Sequence, residues 1–124
     1  MDITPAIQDS KKLIETYGAG RFRVSGKLFE SGILICDEHV WPFLATDINT
    51  LTLADFQPLF DLPERPQLVL LGTGAKQHFA PKELKQALRA EGITLEAMPS
   101  DSAARTYNVL LTESRRAAAA LLPL

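Results

Sequence analysis

A chain of 124 residues, 46% apolar and 23% charged, has the size and balance of one self-sufficient globular domain spanning 1–124, which excludes disordered and fibrous classes. Thirteen basic against fifteen acidic side chains leave a net charge of −2, so no global field draws the chain onto nucleic acid. The single cysteine, Cys36, excludes an intramolecular disulfide and a zinc ribbon and fits a reducing compartment.

The opening MDITPAIQDSKKL starts acidic and lacks the basic start and apolar core of a secretory signal. The longest apolar run, residues 117–122, falls far short of the roughly 20 residues that span a bilayer. The expectation is therefore a soluble, cytoplasmic protein, with residues 1–11 as a polar lead-in. From Leu13 to Phe43, glycines at 18, 20, 26 and 32 space short strand-like segments. RFRVSG alternates Phe22 and Val24 and GILIC is continuously apolar, which predicts an antiparallel meander. Cys36 lies in that apolar run and reads as a buried, inert thiol. Pro42 ends the last strand, with Trp41 read as core.

Thr52 and Asp55 resemble a capping box opening a short helix interrupted at Pro58. Residues 67–71 have no polar alternation, the mark of a strand buried on both faces. Gly72-Thr73-Gly74 follows, then Pro81 at a helix start, a stripe through Leu84, Ala87 and Leu88, and Gly92 as a C-cap. With a strand over 93–98, residues 67–98 form a βαβ unit with parallel strands. Ser100 or Asp101 caps the next helix, whose buried face carries Ala103, Ala104, Tyr107, Leu110 and Leu111, with Arg105 and Asn108 toward its edges and its end near Ser114. The tail RRAAAALLPL is either helix, favoured by its alanines, or a short buried strand.

The glycine pair could bring backbone N–H groups to an anion. A dinucleotide fingerprint, however, needs glycine where Gln77 stands, and a P-loop needs Gly-Lys-Ser/Thr. No nicotinamide or flavin cofactor is expected, and a tight corner is the plainer reading. His39 and His78 have no carboxylate or histidine at ligand spacing, so no metal is expected. The densest polar stretch is SDSAARTYNVLLTESRR, residues 100–116. Its groups either satisfy backbone where a helix crosses a sheet or line a binding pocket shared with the glycine turn. The pocket residues would be Gly72, Thr73, Gly74, Arg105, Thr106, Tyr107 and Asn108.

The series GTG, EGITLEAM and AARTYNVLLTESRRAAAALLP closely resembles the Mth-domain family, small proteins that include the adipogenesis-associated Mth-domain protein and a mitochondrial respiratory complex I assembly factor. RTYNVL followed by ExRR is the most specific part, and the resemblance covers most of the chain. It implies a three-layer α/β fold: a central mixed β-sheet, helices on one side and an added antiparallel β layer from the N-terminal half. It also implies that residues 116–122 form a strand. Two departures stand out: Ser100-Asp101 replaces a common Thr-Gly, and Ser114 replaces the glycine before the paired arginines, which puts a special backbone angle there in doubt. The resemblance implies a binding or assembly-factor-like module with a protein partner and no transferable reaction or cofactor. Arg115 and Arg116, together with Arg105 beside the glycine turn, would be the partner surface, and a small anion is a candidate occupant of the pocket. The alternative is an enzyme acting on a small anionic substrate, with Arg105 as clamp, the turn amides as donors and Glu113 as base.

Overall fold

The alternation of Phe22 and Val24 builds one small sheet, and the uninterrupted GILIC run leaves it for another. The computed structural model describes residues 12–124; the lead-in expected over 1–11 lies outside the described residues. Strands β1 (Ile14–Gly18), β2 (Arg21–Val24) and β3 (Lys27–Phe29) pair antiparallel in chain order. Strands β4 (Gly32–Cys36), β5 (His39–Phe43), β6 (Leu68–Gly72), β7 (Thr94–Met98) and β8 (Ala117–Leu121) form a five-stranded mixed sheet in the order β5-β4-β8-β6-β7. The meander read over 13–43 is thus divided between two sheets. All five residues of β4 are buried, a pattern that needs cover on both faces and has no place in a sheet with one wet side.

Helices α1 (Gln57–Phe60), α2 (Lys82–Ala90) and α3 (Ser100–Thr112) complete the layers. Leu34, Val69, Leu71, Leu84, Leu88, Ala118 and Ala120 meet in one core, on the α2 face of the central sheet. Phe22, Val24, Ile33, Ile35, Leu70, Ala104, Tyr107 and Ala119 meet in another, where α3 and the small sheet lie side by side. The three-layer α/β architecture stands, but the helices do not share one side as expected: α3 lies beside the added β layer and α2 on the opposite face. The reason is topological. β7 and β8 flank β6 on opposite sides and run parallel to it, so two crossovers of the same hand place their helices on opposite faces.

The alanine tail is a strand. β8 runs antiparallel to β4, with Leu34 opposite Ala120, and parallel to β6, with Leu68 opposite Ala117. Asp55 accepts the Thr52 N–H at 2.8 Å, as the capping pattern requires. Pro58 sits in the first turn of α1 instead of interrupting it, where its missing N–H costs nothing. Trp41 is half-buried, not core, and stacks on His39 with ring centroids 5.5 Å apart; β5 is an edge strand, and its edge is blunted by Pro42.

Both longer helices stop in the same six-residue motif. At the end of α2, Gly92 has φ +81°, its N–H donates to Arg89 O, and Ile93 N–H donates to Leu88 O, each at 2.9 Å. At the end of α3, Ser114 takes the glycine-like role at φ +57°, its N–H donating to Leu111 O at 3.1 Å and Arg115 N–H to Leu110 O at 2.9 Å. The special backbone angle therefore survives the loss of glycine. An L-residue held there costs roughly 1–2 kcal/mol, against the roughly 0.4–1 kcal/mol by which glycine loosens the unfolded chain. Ser114→Gly is expected to stabilise the protein by about 0.5–1 kcal/mol, read as a rise in the urea midpoint with unchanged slope; an unchanged or lower midpoint would show that the strain is relieved locally.

Candidate functional site

β6 ends at Gly72, and the turn beyond it is fastened to the start of α3 and the end of β8. Ser100, fully buried, accepts the Gly74 N–H at 2.9 Å and donates its hydroxyl hydrogen to Leu122 O at 2.7 Å. Its own N–H donates to Gly74 O at 2.8 Å. Thr73 N–H donates to Met98 O at 2.8 Å, and its hydroxyl donates to Lys76 O at 2.5 Å. A Cβ at Gly72 would stand 2.6 Å from Ser100 Oγ and 2.8 Å from Leu121 Cδ2, so glycine is required here for close packing. The amides of Thr73 and Gly74 already serve protein oxygens and are not presented to an anion, which corrects the reading of the turn amides as donors.

The RTYN segment of α3 is tied to the N-terminal half. Tyr107 is buried, and its hydroxyl oxygen accepts the Asp37 N–H at 3.0 Å; burial raises its pKa beyond the ordinary tyrosine range. Asn108 behaves as a strand partner for β1, accepting the Ile14 N–H at 3.0 Å through Oδ1 and donating from Nδ2 to Ile14 O at 2.9 Å. Arg105 is exposed, donates to the Tyr17 hydroxyl at 3.0 Å and lies 3.6 Å from Asp101. Thr106 is half-buried. The seven residues grouped at the sequence level therefore divide: the glycine turn closes on Ser100, while Tyr107 and Asn108 face β1 and the end of β4.

A cavity of about 430 Å³ opens beside the turn, lined by Thr46, Asp47, Asn49, Thr73, His78 and Phe79 among others. It lies outside the carboxyl ends of β6 and β8, the position where open α/β sheets take ligands. Of the grouped residues only Thr73 lines it. The segment 46–49 carries no motif, so the sequence offered no signal for its part in the wall. Asp47 is engaged locally, its carboxylate accepting the Asn49 N–H at 2.9 Å. Hydroxyl, amide and imidazole groups beside an exposed aromatic suit a polar, uncharged group better than a strong anion.

Arg115 and Arg116 line a different cavity, of about 330 Å³, with Gln67, Leu68 and Thr94. Since Leu68 pairs with Ala117 and Gly72 with Leu121, this basic end lies at the opposite end of the strands from the glycine turn, not beside it. Arg116 is held 3.0 Å from Glu64 and donates to Arg65 O, whereas Arg115 forms no ion pair among the described residues. Glu113, at the C-cap of α3, is about two helical turns, roughly 12 Å, from Arg105. Cys36 is buried, and burial, with Asp37 adding to it, pushes its thiol up to about 12, leaving it protonated and inert. No group of three or more His, Cys, Asp or Glu side chains is placed to hold a metal among the described residues.

Removing the Ser100 hydroxyl orphans one buried N–H and one carbonyl, at a cost of about 1–3 kcal/mol. Ser100→Ala is expected to lose that much stability and Tyr107→Ala about 3–5 kcal/mol, while Arg105→Ala stays within about 0.5 kcal/mol. Denaturant melts of the three variants check the ranking; a loss at Arg105 equal to that at Tyr107 would make the arginine a structural staple.

Residues 14–122 match a family model described as protein of unknown function (DUF498/DUF598). An uncharacterized protein of Rhodobacter capsulatus is 41% identical over 111 residues, covering 90% of this chain and 84% of its own length. The rat NADH dehydrogenase [ubiquinone] 1 alpha subcomplex assembly factor 3 is a distant relative, 27% identical over 89% of this chain, which spans 60% of that protein. Among solved structures, a Bordetella pertussis protein described as a Mth938-like domain superposes with a TM-score of 0.80 at 29% identity, over 99% of this chain and 92% of that one. A Bartonella henselae protein described as an outer membrane protein superposes with a TM-score of 0.82 at 28% identity, over 91% and 95%. No helix among the described residues is long and apolar enough to cross a membrane. With nearly its whole length matched by one family model and its fold shared with a Mth938-like domain, the chain belongs to the DUF498/DUF598 family.

Proposed function

We propose that the chain is a protein-binding module that assists the assembly of a larger complex, working in the cytoplasm. The observation that carries this reading is the exposed Arg115, which forms no ion pair among the described residues, beside Arg116 at the rim of a cavity, in a fold whose distant relatives include respiratory complex I assembly factors aligned over 89% of this chain. A guanidinium that no described acid holds is available to a carboxylate on a partner, and its planar fork favours bidentate capture. Arg105, also exposed, on α3, lies more than two helical turns back along the helix and already meets Tyr17 and Asp101, so it is the weaker contributor. The cytoplasmic setting rests on the lone, buried thiol of Cys36, and fractionation of the native cell tests it.

The support for catalysis is thinner. A clamp at Arg105 and a base at Glu113 would sit about two turns apart on one helix, and the turn amides that would stabilise an anion are engaged within the protein. Among the grouped residues, Thr73 remains the one facing a cavity that could take a small polar ligand.

The test leaves Arg116 intact, because it is fastened to Glu64 and Arg65, and reverses Arg115 alone. Arg115→Glu, confirmed as folded, is expected to retain at most about a tenth of the partner captured by wild type in cross-linked pull-down from the native cell. Equal capture would remove Arg115 from the interface, and no specific partner on wild type would overturn the binding reading itself.

A further inference from the structure

Among the described residues the central sheet ends at β7, and this edge differs from the others. β5 carries Pro42, β1 has a register break between Ile14 and Thr16, and β3 is three residues long; each device discourages a strand from adding on. β7 has none of them. Its five residues, Thr94 to Met98, pair in unbroken register with β6 and contain no proline.

Backbone direction follows from the ladder. Thr94 N–H donates to Gln67 O, and Met98 O accepts from Thr73 N–H, so Thr94, Glu96 and Met98 turn their polar groups toward β6. By alternation, Leu95 and Ala97 turn theirs outward. The one protein group that meets this outer row among the described residues is Gln77, whose Nε2 donates to Ala97 O at 3.0 Å. A long, flexible, exposed side chain on a backbone carbonyl is a contact that an incoming strand can replace.

Beside that row lies a cavity of about 240 Å³, lined by Gln77, Phe79, Ala80, Lys85, Leu95 and Ala97. It is a trough between an edge strand and α2, with Phe79 94% exposed at its lip. A phenylalanine so placed is costly to leave in water and contributes only when something lies against it. Its basic lining residue is Lys85, which also borders a second hollow along α2 with Lys82 and Arg89, and none of the three forms an ion pair among the described residues. Glu83 on α2 and Glu96 on β7 are the nearby acids. Leu95 belongs to the core on the α2 face of the sheet, so by alternation Glu96 lies on the opposite face.

We infer that the outer edge of β7 is a docking groove for an extended segment of a partner protein, added as a sixth strand, with a carboxylate and apolar side chains turned toward α2 and basic or neutral side chains toward Glu96. The main-chain groups of Leu95 and Ala97 supply affinity, and the two faces of the added strand supply selection. A second copy of this chain fits poorly. The self-pairing register that uses both Leu95 and Ala97 sets Glu96 directly opposite its copy, and like charges in that position repel. This groove names a surface for the partner binding proposed above and rests on that reading, but it is a separate surface from Arg115.

The test uses the whole chain, labelled with nitrogen-15, and the blocked peptide Ac-KVTDKVT-amide, whose second, fourth and sixth residues face α2 in the inferred orientation. Titration to about millimolar peptide is expected to shift the Leu95 and Ala97 amides and slow their exchange, with Gln77 and Phe79 following. Replacing the peptide's aspartate by lysine, or Lys85→Glu in the protein, should weaken binding at least about tenfold. Ala97→Pro removes an outward N–H without touching the ladder to β6 and should abolish binding; should that variant fail to fold, N-methylation of the peptide's central amides reads the same bond from the other side. No perturbation at Leu95 and Ala97, binding that survives both backbone blocks, or a concentration-dependent dimer paired at β7 would overturn the inference. In pull-down from the native cell, an Ala97→Pro variant that keeps the wild-type partner sinks the groove and leaves partner binding standing, whereas a wild type that captures nothing sinks both.

Discussion

The structure depends on β8, a strand of four alanines and a leucine buried along its whole length. It is the seam between an antiparallel N-terminal half, which it joins through β4, and a parallel C-terminal half, which it joins through β6. Its small side chains point alternately into two cores, Ala118 and Ala120 toward α2, Ala119 toward α3 and the small sheet. A larger residue in this row would press on layers that already pack at interior density, where extra methylenes typically cost about 1–3 kcal/mol. The composition that made the tail ambiguous is thus the one its position demands.

The polar motifs follow from that seam. Once β8 is central, its carboxyl end and that of β6 must be closed by something small and polar, and Ser100 does so by bonding to both Gly74 and Leu122. Gly72 is then fixed by the proximity of Ser100. At the other side of α3, Tyr107 and Asn108 hold the end of β4 and the start of β1 against the helix. The residues that look most like a binding motif are largely occupied in joining layers, and the groups left open among the described residues, Arg115 and the edge of β7, lie elsewhere.

The fold was legible to the extent that its signals are periodic and local. The continuous apolar run before Gly72, the stripe of α2 with its Gly92 stop and the buried face of α3 all translate directly into elements, because burial on one or two faces leaves its period in the sequence. The division of the N-terminal strands between two sheets was not legible, since pairing partners are set by contacts across nearly the whole chain, as between Ile33 and Leu121. The RTYN segment showed that polar groups cluster, but a side chain that bonds backbone and one that awaits a ligand look alike in sequence. The cavity wall at 46–49 and the outward row of β7 left no pattern at all, because both depend on what the sheet places, or omits to place, beside them.

Site-resolved hydrogen exchange tests this arrangement most directly, because it reads the seam and the open edge in one experiment. Ala118, Ala119 and Ala120 are expected to exchange only through global unfolding. Within β7, Glu96, turned toward β6, should exchange at least about a hundredfold more slowly than Leu95 and Ala97. Protection of Leu95 and Ala97 equal to that of Glu96, or exchange of the β8 alanines by local opening, would contradict it.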